Sequence, residues 1–149
     1  MRLIIMRHGQ ALSKAQDPQS GLSEEGRRQA RLAAGRILEG GWKPARILHS
    51  PKDRARQTAE ILAAELGVVE GPEEVMGLKP EDPVGPWLAR LETEAADLAL
   101  VSHLPFVDIL SRSLLLAGGE ALDGFGTAGV ALMERSPGGL WRLVDQFLA

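Results

Sequence analysis

Three short stretches of this 149-residue sequence carry the imidazole and guanidinium groups best placed to do chemistry: Arg7-His8-Gly9, Ser50-Pro51 followed by Arg54, and Ser102-His103-Leu104-Pro105. A neutral imidazole, with a reference pKa of about 6.5, keeps a free ring nitrogen at neutral pH and can act as a nucleophile or base without first losing a proton. A guanidinium group is permanently charged, and its planar fork matches the oxygens of a phosphate dianion. The chain contains no cysteine, so thiolate nucleophiles, disulfide frameworks, thiolate zinc sites and iron–sulfur clusters are excluded. The position of Arg54 is a further clue. A cation in the first turn of a helix opposes the macrodipole unless an anion lies beside it.

The elements that must position these residues follow from the apolar pattern. Residues 3–6 form a short continuous apolar run, which reads as a strand buried on both faces. Residues 10–22 are small and polar and read as a loop. Ser23 then caps a helix with Glu24 and Glu25 in its first turn and an apolar stripe of Ala30, Ala33, Ala34, Ile37 and Leu38; Gly40-Gly41 stops it. Residues 45–49 read as a second strand. Ser50-Pro51 reads as an N-cap with proline at the first helical position, opening a helix whose stripe is Ala55, Thr58, Ala59, Leu62 and Leu66 and whose end is capped by Gly67. That N-terminus would add backbone N–H donors near the arginines.

Residues 68–86 are broken by glycine and proline and read as loop, with a brief strand at Val75-Met76. A short helix over 87–91 and a strand over 98–101 follow. A helix from about Pro105 is expected to bury Phe106, Ile109, Leu110, Ser113, Leu114 and Ala117. The strands at 129–134 and 140–144 flank the turn Ser136-Pro137-Gly138-Gly139 and form an antiparallel hairpin. Strands alternating with helices and closed by a hairpin predict a three-layer α/β/α fold, a mostly parallel sheet with an antiparallel edge. Ligand sites in such sheets form beyond the carboxyl ends of the strands, where both histidines and both arginines fall.

Four segments in order resemble the histidine phosphatase superfamily, which includes the phosphoglycerate mutases and the SixA-type phosphohistidine phosphatases. They are Ile5-Met6-Arg7-His8-Gly9, Leu22-Ser23-Glu24-Glu25-Gly26-Arg27-Arg28-Gln29-Ala30, Ser50-Pro51-Lys52-Asp53-Arg54-Ala55-Arg56-Gln57-Thr58 and Val101-Ser102-His103-Leu104-Pro105. With the hairpin, the resemblance spans residues 1–149 as one domain of the phosphoglycerate mutase-like fold. It implies that His8 is the nucleophile, that Arg7 and Arg54 hold phosphoryl oxygens, and that His103 adds a hydrogen bond. Gly9 would let the backbone turn beside the nucleophile and leave room for the phosphate. No metal or cofactor is implied. The implied activity is hydrolysis through a phosphohistidine intermediate.

Each of these residues also has a plain structural reading. His8 alone would pass for a strand-end histidine bonded to backbone, Arg7 or Arg54 for a partner of Asp53 or another carboxylate, and His103 for a helix cap. Four matches in register favour function over those readings. His49 is read as a strand residue, Trp42, Trp87 and Trp141 as packing, and Arg27, Arg28 and Arg31 as a solvated helix face.

Many relatives carry a glutamate after the third strand that protonates the leaving alkoxide. Here Gly77 stands at about that position, and Glu74, Glu81 and Asp82 are nearby without matching the register. A leaving imidazole, with a conjugate-acid pKa near 6.5, can be protonated by solvent, so the gap favours phosphohistidine. The short chain also predicts a shallow pocket, open to a side chain presented by a phosphorylated protein. A phosphomonoesterase acting on small phosphate esters is the second reading, and a non-catalytic phosphate-binding module the third. A formal net charge of −3 argues against nucleic acid or an anionic membrane as partner, and no apolar run reaches spanning length, so a cytoplasmic location is expected.

Overall fold

The computed structural model describes residues 1–148. Its elements are β1 (Arg2–Arg7), α1 (Glu24–Glu39), β2 (Arg46–His49), α2 (Asp53–Leu66), β3 (Pro72–Glu74), α3 (Gly85–Thr93), β4 (Leu98–Ser102), α4 (Phe106–Leu115), β5 (Val130–Arg135) and β6 (Trp141–Phe147). One six-stranded sheet has the order β3-β2-β4-β1-β5-β6. The first four strands are mutually parallel, and β5 and β6 run antiparallel to their neighbours, as the sequence predicts. The alternation of a strand places Ile4, Met6, Ile47, Ala99 and Val101 against α1 and α2, and Leu3, Ile5, Leu48, Leu98 and Leu100 against α3 and α4. A core on each face makes the three layers.

Several local expectations are corrected. Helix α2 begins at Asp53, and its N-cap is Lys52 with no side-chain bond, because the Ser50 hydroxyl is engaged elsewhere. Strand β3 covers Pro72–Glu74 rather than Val75-Met76. Met76 is 93% exposed, and Gly77 turns the chain away at φ +87°. Helix α4 is rotated by about one residue from the expected stripe: Val107 and Ser111 are buried while Ile109 is half exposed, Ser113 only partly covered and Ala117 exposed. Leu38 is likewise 52% exposed, outside the α1 stripe. The α1 cap is as expected, with Ser23 Oγ accepting from the Gly26 N–H at 3.0 Å.

Register assembles the site. Strands β1 and β4 are neighbours with Arg7 opposite Ser102, so His8 and His103 leave the sheet side by side. The His8 N–H then donates to the Ser102 carbonyl at 3.0 Å. Strand β2 flanks β4 with His49 opposite Val101, which delivers Ser50 and the start of α2 to the same rim.

Candidate active site

The rings of His8 and His103 lie with centroids 5.1 Å apart, tilted by 58°, and both side chains are buried. His8 Nδ1 is 2.7 Å from the Gly9 carbonyl. A carbonyl only accepts, so Nδ1 carries the proton and Nε2 keeps the lone pair. Burial lowers the His8 pKa to about 4, the Gly9 carbonyl opposing this and Arg54 and Arg7 adding to it. Burial also lowers His103 to about 3, assisted by His8, Arg54, Lys52 and Arg7. Both rings are therefore neutral at pH 7.

The arginines depart from the usual surface pairing. Neither Arg7 nor Arg54 makes an ion pair among the described residues, and Asp53 pairs with Arg56 instead. Arg7 Nη1 donates to the Phe125 carbonyl at 3.0 Å, while its Nε is buried with no partner. His103 Nδ1 is also buried and unpartnered. Loss of hydration pushes both guanidinium pKa values down from their ordinary range. Two cations without counter-ions and two unmet buried polar atoms, next to a free Nε2 lone pair, suit a dianion whose charge is held from several sides.

The backbone that carries these groups is tied across elements. The Gly9 N–H donates to Thr58 Oγ1 at 3.1 Å, and Thr58 Oγ1 donates to the Arg54 carbonyl at 2.7 Å, so one hydroxyl links the loop after His8 to the first turn of α2. Gly9 also answers a packing demand. A Cβ there would lie 2.6 Å from the Gly26 carbonyl oxygen, and one at Gly26 would lie 2.0 Å from that of Gln10. Two glycines let the loop rest on the first turn of α1.

The structure thus brings Arg7, His8, Gly9, Arg54 and His103 to one rim. It adds Ser50, Lys52, Thr58 and the Phe125 carbonyl, which the sequence reading did not assign. Ser50 had a usable signal, a hydroxyl directly after a strand that neighbours the one ending just before His103. His49 is a buried strand residue whose Nδ1 lies 2.7 Å from the Ser50 carbonyl. The His103 carbonyl accepts from the Val107 N–H, but its side chain caps nothing. All three tryptophans are buried in the cores, and Arg28 pairs with Glu25 at the surface.

Around position 77 the backbone accounts for the missing acid. Trp87 Nε1 donates to the Gly77 carbonyl at 3.0 Å, and a Cβ on Gly77 would meet that same nitrogen at 3.0 Å. With φ at +87°, a side chain there is strained twice over. Asp82 Oδ2 accepts the Lys79 N–H at 2.9 Å and closes a turn, while Glu74 and Glu81 are exposed. Glu74, Met76, Asp82, Trp87 and Arg90 line a cleft of about 660 Å³ that begins at Pro51. None of the two histidines and two arginines lines it. The cleft reaches Pro51, next to Ser50, while the unpaired cations and unmet polar atoms lie outside its lining. Among the described residues no three His, Asp or Glu side chains gather as a metal would require. No helix among them is long and apolar enough to cross a membrane.

Sheet order, flanking helices and rim together define a phosphoglycerate mutase-like α/β phosphatase. The chain belongs to the histidine phosphatase superfamily (branch 1), whose family profile matches residues 3–79. It is 34% identical over 136 residues to the phosphohistidine phosphatase SixA of Escherichia coli (strain K12), covering 88% of this chain and 83% of that protein. An uncharacterised protein of Picosynechococcus sp. is 43% identical over 113 residues, 70% of this chain and 67% of its own. A solved structure of the protein histidine phosphatase SixA complexed with tungstate superposes with a TM-score of 0.86 at 31% identity, over 99% of this chain and 97% of that one.

Proposed function

We propose that this protein hydrolyses phosphohistidine on a partner protein through a phosphorylated His8, without a metal. The observation that carries the reading is a neutral His8 with its Nε2 lone pair free, next to His103 and two guanidinium groups that no carboxylate neutralises. In the first step Nε2 attacks phosphorus in line and the P–N bond to the substrate imidazole breaks, its electron pair and a solvent proton going to the leaving ring. In the second, water attacks the phosphorylated His8, inorganic phosphate leaves and the imidazole is restored. Arg7 and Arg54 hold the equatorial oxygens in both steps, and His103 donates to one of them.

The choice of a P–N bond rests on position 77. A general acid is typically worth about 10²–10⁴ in rate, and the backbone here leaves no room for one at that point. An imidazole leaves readily without it, and an alkoxide far less readily. The similarity to SixA proteins agrees with this choice. Glu74, exposed on the neighbouring cleft, favours the second reading of a phosphomonoesterase with Glu74 as acid.

The test is a turnover comparison of a phosphohistidine-bearing protein, free phosphohistidine and several alkyl phosphates. We expect the P–N substrates to be preferred. Preference for an ester by a large factor selects the second reading, and tight phosphate binding with no hydrolysis of any compound selects a binding module.

A further inference from the structure

Ser50 follows β2 directly and is fully buried. Its Oγ lies 2.5 Å from His103 Nε2, and the Lys52 N–H donates to the same oxygen at 3.4 Å. The Lys52 contact uses a lone pair of the hydroxyl, so the hydroxyl hydrogen needs an acceptor elsewhere. Among the described residues His103 Nε2 alone is within reach. A buried hydroxyl hydrogen without an acceptor is costly, so Oγ–H donates to Nε2 and the neutral ring carries its proton on Nδ1. That Nδ1 is the buried atom left without a partner.

We propose that Ser50 is a positioning residue that holds His103 in the Nδ1–H form, so that Nδ1 is the atom offered to a phosphoryl oxygen. The proposal rests on the reaction above in naming that oxygen. The two histidines are then set by opposite devices. At His8 the Gly9 carbonyl takes the Nδ1 proton and leaves Nε2 as the acceptor that attacks. At His103 the Ser50 hydroxyl occupies the Nε2 lone pair and leaves Nδ1 as a donor. Ser50 is not the N-cap of α2, whose first turn starts at Asp53 after Lys52, a cap residue with no side-chain bond, so its hydroxyl serves the ring.

The wild-type resting protein, ¹⁵N-labelled on histidine, decides the matter at pH 7, with His103→Gln used only to assign the signals. We expect the His103 Nδ1 shift in the protonated range and Nε2 in the lone-pair range; the reverse overturns the proposal. In Ser50→Ala the two forms should mix, with kcat on phosphohistidine falling about tenfold, the order expected for one such hydrogen bond, and KM within about twofold. Ser50→Thr, which keeps the hydroxyl, should recover the single form. An Ala variant with an unmixed ring and wild-type kcat overturns the proposal. Should that variant not fold, the wild-type spectrum still decides. Absence of wild-type turnover on every phosphorylated compound would sink the reaction and leave the ring assignment standing, so the two failures are distinct.

Discussion

Replacing Gly9 with alanine tests how closely the proposed nucleophile, His8, depends on the backbone beneath it. The new Cβ would lie 2.6 Å from the Gly26 carbonyl oxygen and 3.1 and 3.2 Å from two further backbone atoms of that residue, so no side chain can rotate away to relieve it. The loop must recede by about 0.8 Å before the contact reaches an ordinary 3.4 Å. Gly9 carries both the carbonyl that orients His8 Nδ1 and the N–H bonded to Thr58, so the ring moves with it. A displacement near 1 Å at a reacting group costs about 10²-fold in rate. Overpacking of this kind also costs about 1–3 kcal/mol of stability, which for a chain of this size lowers Tm by about 2–12 °C. We expect kcat/KM for phosphohistidine to fall about a hundredfold in a variant still folded by circular dichroism at 25 °C. Kinetics within about threefold of wild type would refute the reasoning that ties the ring to this contact.

Other consequences are more compact. The His8 ring, followed by NMR, should stay neutral until pH falls to about 4, and a midpoint near 6.5 would contradict the burial and cation effects on it. Because the folded chain binds fewer protons on His8 and His103 than the unfolded chain, stability should decline as pH drops from about 6.5 through 4 and 3, and these two groups should contribute no slope above that window. Chelators should leave turnover unchanged after exhaustive dialysis; a loss restored by a divalent cation would oppose the arginine-based account. Gly77→Glu should lower Tm without raising alkyl phosphate hydrolysis, since φ is +87° and Trp87 abuts the new side chain. A gain of tenfold or more on an ester would show that position 77 can host an acid.

Much of the architecture was legible because burial on both faces leaves a plain signature. The apolar runs ending at Met6 and Val101 gave β1 and β4, and the alanine-rich stripe gave α1. Arg7, His8, Arg54 and His103 stood out because each stands at or shortly beyond the carboxyl end of a strand. What escaped was set by tertiary contact. Three residues of β3 pair with β2 through main-chain bonds that composition does not record, so Val75-Met76 looked the better strand. Ser50 reads as a cap until the His103 ring, 53 residues away, is seen within hydrogen-bond distance of its hydroxyl. Gly9 suggested room for a ligand, whereas its tightest constraint is the backbone of Gly26. The α4 stripe was out by one position because apolar residues occupy adjacent positions on two faces, and only packing against β1, β6 and α3 selects between them.

Everything turns on whether phosphorus is transferred to His8. Rapid quenching of a single turnover, followed by mass spectrometry of the peptide spanning residues 8–27, should find an acid-labile phosphate on His8. The His8→Ala variant should carry none and should not turn over. Full turnover in that variant, or a phosphate found only on another residue, would contradict the account.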